Sequence, residues 1–102
     1  MEIEITREKG VAKLVMSGDI DEQGAEILNE RFGALDKIRL KGIVLDFQKV
    51  GYIGSSGIGQ LILIYKNLAT SGGKVRIENA RKAIYDLLVE LHIDRVIEVL
   101  RA

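Results

Sequence analysis

The sequence predicts an α/β fold, with a mixed, mostly parallel sheet of about five strands and helices packed on it. Strand-like and helix-like segments alternate from residue 11 onward, which is typical of parallel strands joined by helical crossovers. The first two strand-like segments are separated only by Lys9-Gly10, which indicates an N-terminal antiparallel hairpin. The length of 102 residues and the 47% content of hydrophobic residues suit one domain, residues 1–102, with its own core.

Composition and charge exclude several classes of function. Fifteen basic and fifteen acidic residues cancel, so no bulk field attracts nucleic acid or an anionic membrane. The absence of cysteine excludes disulfides and cysteine-bound zinc, and a single histidine, His92, excludes a histidine-rich metal site. No apolar run approaches the ~18 residues of a membrane-spanning helix, and the N-terminus lacks a signal-peptide pattern. We expect a cytoplasmic protein that has no cofactor and contacts neither nucleic acid nor membrane.

The first half of the chain reads as a hairpin, a helix and a buried strand. Alternating residues at 2–7 and 11–17 predict the two strands of the hairpin. Asp21 is a candidate N-cap for a helix over 22–37, because its carboxylate can accept a bond from a free backbone N–H. The continuous apolar run at 43–47 predicts a parallel strand that is covered on both faces.

The second half continues with two helices and two strands. The helix that follows the central strand is predicted to bury Ile58, Leu61, Ile62, Tyr65 and Leu68. It ends at Ser71-Gly72-Gly73. The alternating strand at 74–78 should lie nearer a sheet edge, or be exposed on one face. A third helix begins at Asn79 or Ala80, and a last strand spans 95–100.

A glycine-rich segment, Gly54-Ser55-Ser56-Gly57-Ile58-Gly59, separates the central strand from its helix. Each glycine inside a helix costs about 0.5–1 kcal/mol relative to alanine, and packing alone does not require this glycine content. We interpret it as space for something large or charged to approach the backbone. The segment nevertheless fails the Walker, dinucleotide-binding and nucleophile-elbow spacings, and no general base accompanies it, so we predict no enzyme.

The two serines of this segment lie where a helix N-terminus attracts anions. The first N–H groups of a helix are unpaired and carry the positive end of its dipole. Phosphorylation of Ser55 or Ser56 would add nearly two negative charges at this end, which suits a switch read by a partner. The alternative is that either serine is only an N-cap and the glycines only shape the turn.

The run from Ile43 to Gly59 resembles the signature of the anti-sigma factor antagonists, a family built on the STAS domain. That signature is an apolar strand ending in Asp, then an apolar pair, Asp-Ser-[Ser/Thr/Ala]-Gly-[Leu/Ile]-Gly and an apolar helix. Gly18-Asp19-Ile20-Asp21 is similar to a second family element. Gly72-Gly73-Lys74-Val75 and the closing segment 91–97 also fit the family layout, so the resemblance covers nearly the whole chain.

The resemblance implies a small STAS-like sandwich that works by partner switching. The unphosphorylated protein would bind an anti-sigma factor that is also a serine kinase, and so release a sigma factor. Phosphorylation would end this binding, and a serine phosphatase would restore it. The implied acceptor is Ser55, with Ser56 as second choice. The implied partner-binding residues are Asp19, Asp21, Tyr52, Gly54, Ser55, Ser56, Gly57, Ile58 and Gly59.

Two departures from the family pattern leave alternatives open. Gly54 stands where the family has an acidic residue, and Asp19 and Asp21 would supply the missing charge if they lie nearby. Many family members continue into a further helix, whereas this sequence stops at Ala102, so we expect one exposed flank. The alternative functions are a STAS interaction module that is not phosphorylated, or a domain whose helix N-terminus binds a nucleotide or another anion.

Overall fold

The computed structural model describes residues 1–102, and its elements follow the predicted order. The strands are β1 (Glu2–Glu8), β2 (Val11–Ser17), β3 (Gly42–Lys49), β4 (Lys74–Ala80) and β5 (Glu98–Arg101). The helices are α1 (Glu22–Gly33), α2 (Ser55–Ala69) and α3 (Lys82–Glu90), with one 3-10 turn at Ile93–Arg95. None of the three helices has the length and apolar character that a membrane-spanning segment requires.

The five strands form one sheet in the order β1-β2-β3-β4-β5. Only the pair β1 and β2 is antiparallel, and the other three pairs are parallel. This arrangement confirms the predicted mixed sheet and its N-terminal hairpin. It also places β4 one strand from the edge, with one face exposed, which agrees with the expectation for that strand.

One face of the sheet carries the hydrophobic core. Inward side chains of the strands pack in a single cluster of 24 buried residues with side chains from all three helices. The opposite face is charged. There Lys13 and Arg76 flank Val44 in the register, and Lys13 and Arg76 form ion pairs with Glu78. The prediction that β3 is covered on both faces is confirmed, since residues 42–47 are all buried. On this face the cover beside Val44 comes from long charged side chains rather than from a second helical layer.

Asp46 on the charged face has a structural role. It is 8% exposed, and its Oδ1 accepts bonds from Gln48 N (3.0 Å) and Asn79 Nδ2 (3.1 Å). Its Oδ2 lies 3.8 Å from Lys13 Nζ. The carboxylate thus connects β3 to both neighbouring strands and holds Asn79, whose φ is 58°, in a left-handed conformation.

Several predicted boundaries differ from the structure for local reasons. Helix α1 ends at Gly33 rather than at residue 37, because Lys37 Nζ folds back to donate to the carbonyl oxygens of Phe32 (2.6 Å) and Leu35 (2.9 Å). Helix α3 begins at Lys82 rather than at residue 79 or 80, because β4 continues through Ala80 to pair with β5. Strand β5 begins at Glu98, since residues 93–95 form the 3-10 turn.

The buried face of α2 is also rotated from the predicted one. Its buried residues are Gly57, Gln60, Leu61, Ile64 and Leu68. Ile62 and Tyr65, which were expected to face the core, are only partly buried, and Leu63 is 59% exposed. Gln60 is buried because its Nε2 donates to Asn29 Oδ1 (3.1 Å) across the contact between α2 and α1.

Candidate functional site

Two loops join at the carboxyl ends of the parallel strands to form the candidate site. A one-residue parallel bridge connects Ile20, in the loop before α1, to Ile53, in the loop before α2. Ile20 N donates to Tyr52 O (2.8 Å), and Gly54 N donates to Ile20 O (3.0 Å). The bridge therefore brings the segment that contains Asp19 and Asp21 alongside the segment that leads to Ser55.

Two helix glycines allow this close approach. A Cβ on Gly24 of α1 would lie 2.3 Å from the carbonyl oxygen of Asp19. A Cβ on Gly57 of α2 would lie 2.7 Å from side-chain atoms of both Ile20 and Ile53, and 2.8 Å from Ile20 O. The loop at Ile20 is thus held between the first turns of both helices, and neither turn has room for a side chain at the contact.

This packing corrects our interpretation of the glycine-rich segment. Gly57 is buried, and the fold itself requires it, so its presence does not indicate an approaching ligand. Gly59 is different, because a Cβ there would meet no atom within 4 Å and the residue is exposed. Of the three glycines in this segment, only Gly59 leaves helix backbone open at the surface without a packing reason.

The N-terminus of α1 is closed by its own side chain. Asp21 is the N-cap, and its Oδ1 accepts a bond from Gly24 N (2.8 Å), as predicted. Glu22 adds a second acidic group in the first turn. Both carboxylates compensate the positive end of the helix dipole, so this terminus offers little attraction to a further anion.

The N-terminus of α2 is open. Its N-cap is Gly54, which has no side chain to accept a bond, and the first turn has no acidic residue. The prediction that Ser55 or Ser56 is the N-cap is wrong, because the helix begins at Ser55 and both serines lie in its first turn. The first helical bond runs from Ile58 N to Gly54 O (3.0 Å), which leaves the N–H groups before Ile58 free of helical partners.

Tyr52 occupies the space beside Gly54. A Cβ on Gly54 would lie 2.9 Å from the phenol oxygen of Tyr52 and 3.4 Å from two of its ring carbons. The backbone of Gly54, at φ −102°, accepts any residue, so the neighbouring ring is what fills the side-chain position. Tyr52 is itself 54% exposed and can rotate outward. An acidic side chain at position 54 would have to displace it.

Most of the residues predicted from the sequence to bind a partner are exposed. Asp19, Asp21, Tyr52, Ser55, Ser56 and Gly59 are exposed, Gly54 and Ile58 are partly buried, and Gly57 is buried. Along α2, the exposed residues Ser55, Gly59 and Leu63 follow one another at intervals of four, which places them on one stripe of the helix. This stripe starts at the candidate phosphorylation site.

Arg81 is a site residue that the sequence analysis missed. A Cβ on Gly51 would lie 3.5 Å from Arg81 Nη1 and 3.5 Å from Asp19 Oδ1, so the guanidinium reaches the loops of the site. Arg81 immediately follows β4 and is the N-cap of α3. Its place after a parallel strand was the available signal, because functional loops gather at the carboxyl ends of such strands.

The arrangement offers exposed hydroxyls and charged groups for binding. No three histidine, aspartate or glutamate side chains lie close enough together to share a metal ion. The exposed hydroxyls at the start of α2 lie beside unpaired N–H groups, and Asp19 and Arg81 approach Gly51 in the loop that leads to this helix. Such a surface can receive a phosphoryl group and can contact a partner through hydrogen bonds and charges.

Known proteins resemble this chain over almost its whole length. The model of the STAS domain family matches residues 2–102. The anti-sigma F factor antagonist of Paenibacillus polymyxa is 24% identical over 89 residues, which span 86% of this chain and 76% of that protein.

Solved structures share the fold. An anti-sigma factor antagonist from Mycobacterium paratuberculosis superposes with a TM-score of 0.85 at 22% identity, over 99% of this chain and 86% of that chain. The phosphorylated form of the Bacillus cell fate determinant SpoIIAA superposes with a TM-score of 0.75 at 13% identity, over 96% of this chain and 90% of that chain.

Proposed function

Because the chain belongs to the STAS domain family, we propose that it is an anti-sigma factor antagonist controlled by phosphorylation of Ser55. In its unmodified form it binds an anti-sigma factor that is also a serine kinase, which frees a sigma factor. The kinase then phosphorylates Ser55 and is released, and a serine phosphatase resets the protein. The chain itself is a binding module and catalyses no step.

The observation that carries this proposal is the position of Ser55. The residue is exposed and is the first residue of a helix whose N-terminus has no capping side chain and no acid in its first turn. A phosphate there meets unpaired N–H groups and the positive end of the dipole, so the fold tolerates the modification. The relative from Paenibacillus polymyxa, named an anti-sigma F factor antagonist, supports the choice of partner.

The surface around Ser55 supports a charge-based release. The exposed stripe of α2 and the loop with Asp19 and Asp21 form the binding face. Two further negative charges at Ser55 make this face strongly acidic and add bulk at its centre. A kinase surface that accepts the bare hydroxyl then meets an unmatched charge, which weakens the complex.

The test is phosphoryl transfer to the intact protein. Each anti-sigma factor serine kinase of the source organism is incubated with the wild-type chain and ATP, and the intact mass is recorded. We expect one added phosphoryl group on wild type and on Ser56→Ala, and none on Ser55→Ala. Ser55→Ala and wild type gaining the group to the same extent would refute the assignment of Ser55.

A second candidate function, an interaction module that is not phosphorylated, is favoured by Gly54 and Tyr52. The family's acidic residue is absent, and the phenol of Tyr52 fills its place beside the serine. For such a module, wild type gains no phosphoryl group from any of the kinases, and binding is the same for Ser55→Asp as for wild type. If the Gly54→Asp variant gains a phosphoryl group and the wild type does not, the missing acidic residue is the reason that the wild type is not phosphorylated.

A further inference from the structure

A second concave surface lies at the opposite end of the sheet from Ser55. It is a cleft of about 540 Å³ around the amino ends of β2, β3 and β4, and it extends to Val96 and Glu98 before and in β5. The parallel strands have their carboxyl ends at the loops before α1 and α2. Because β3 has eight residues, about 25 Å separate those loops from the cleft. This volume falls within the range of small-molecule sites, about 300–1,000 Å³.

The walls of the cleft include apolar side chains that are not fully buried. Half of its twelve lining residues are hydrophobic. Val11 is 38% exposed and Val96 is 45% exposed. Tyr65 of α2 also lines the cleft, although it packs partly against the core. At Gly42 and Gly73 the lining is main chain alone, since these residues have no side chain. An apolar ligand body would cover these side chains.

The charges of the cleft favour an anion. Its charged residues are Lys41, Lys74, Arg76 and Glu98. Arg76 is already paired with Glu78 (2.9 Å) and Glu98 (3.8 Å). Neither Lys41 nor Lys74 takes part in any of the five ion pairs of the structure. Two ammonium groups therefore remain without an acidic partner at the rim of an apolar cleft.

The main chain fixes these two lysines relative to each other. Lys74 N donates to Lys41 O (3.1 Å), and Lys41 N donates to Gly10 O (2.7 Å). The stem of Lys41 lies against Gly10, whose missing Cβ would be 3.2 Å from Lys41 Cγ. The backbone positions of both cations are thus set by the sheet, so a ligand that uses them meets a partly preorganised site.

We propose that this cleft binds a small organic anion, with its apolar body against the exposed side chains of Val11 and Val96 and its negative group between Lys41 and Lys74. The site is independent of Ser55, both in position and in the residues that form it. Binding of such an anion lets the domain respond to a metabolite, a role that the surface around Ser55 does not provide.

The experiment uses 8-anilinonaphthalene-1-sulfonate, which has an apolar body and one sulfonate, as the probe. Fluorescence titration of the wild-type chain should give saturable one-to-one binding. The double variant Lys41→Gln/Lys74→Gln should bind about tenfold more weakly, the loss expected from two partly exposed charge contacts. Val96→Glu should weaken binding as well, because it places an acid on the cleft wall. The matched control Lys49→Gln/Lys82→Gln removes the same charge elsewhere and should bind as wild type does.

Amide NMR shifts locate the probe and separate this proposal from the function of Ser55. Shifts should appear at Gly42, Lys74 and Val96 and be absent from residues 55–59. Circular dichroism confirms that each variant is folded before titration. Shifts confined to residues 55–59, absence of saturable binding, or equal affinity for the lysine double variant and its control would each overturn the proposal. None of these results bears on phosphorylation of Ser55.

Discussion

Helices α1 and α2 begin side by side at the same end of the sheet, and their N-termini are built in opposite ways. Asp21 closes α1 with a side-chain bond to Gly24 N, and Glu22 adds a second acid. Gly54 begins α2 with no side-chain bond and no acid. Both helices nevertheless contain a glycine that packs against the same loop at Ile20. The packing is shared and the electrostatics differ, because only the N-terminus of α2 lacks a side-chain cap and an acidic residue in its first turn.

The largest expected effect comes from filling the shared packing contact. Gly57→Ala should destabilise the protein by about 2–3 kcal/mol, because the added Cβ overlaps Ile20 and Ile53 in a tightly packed site. Gly59→Ala, two residues along the same helix, is the control. It meets open space and should stabilise the protein by about 0.5–1 kcal/mol. Urea unfolding followed by circular dichroism measures both. Equal effects of the two substitutions would show that the packing argument is wrong.

Removing the cap of α1 should have the next largest effect. Asp21→Ala deletes the bond to Gly24 N and should cost about 1 kcal/mol of unfolding free energy. Asp21→Asn keeps an oxygen at the cap and should remain within a few tenths of a kcal/mol of wild type. Urea unfolding again provides the comparison. If Asp21→Ala has the same free energy of unfolding as wild type, the two N-termini do not differ in capping as described.

Adding charge to α2 should produce a smaller and opposite change. Ser55→Asp places a carboxylate at the open N-terminus and should stabilise the protein by about 0.3–1 kcal/mol at low ionic strength. The gain should shrink at 1 M salt, where screening acts over about 3 Å. Asn67→Asp, in the exposed last turn of α2, is the control and should destabilise instead. Thermal unfolding at both salt concentrations reports the sign. Destabilisation by Ser55→Asp at low salt would contradict an anion-accepting terminus.

Giving α2 the cap that α1 has should change stability least. Gly54→Asp gains a few tenths of a kcal/mol as an N-cap but must push the phenol of Tyr52 aside. The net change in unfolding free energy should stay within about 0.5 kcal/mol of wild type. The ring protons of Tyr52 should shift in the NMR spectrum as the side chain moves into solvent. Unchanged Tyr52 resonances would show that the ring does not fill the space beside Gly54.

These contrasts also show what the sequence could and could not provide. The alternation of strands and helices, the hairpin at Lys9-Gly10 and the cap at Asp21 follow from local patterns, and the structure confirms all three. The reason for Gly57 was not accessible in the same way. Its contacts come from Ile20 and Ile53, and a local pattern does not reveal which side chains will face a glycine in space.

Two further errors have similar physical origins. The run from Leu61 to Tyr65 is apolar at every position, so its periodicity could not decide that Ile64 rather than Ile62 faces the core. Arg81 gave no motif signal, because its place in the site depends on how β4 lies beside β3. The two serines, by contrast, were correctly expected at the start of α2. Only the reading of either one as the N-cap was wrong, because Gly54 is the N-cap.

The affinity of the anti-sigma factor serine kinase for two forms of this chain tests the central claim most directly. Isothermal titration calorimetry compares the unmodified protein with protein that carries one phosphoryl group on Ser55. The account predicts that phosphorylation weakens binding about a hundredfold, near the upper end of typical coupling between sites. Equal affinity for the two forms would contradict it.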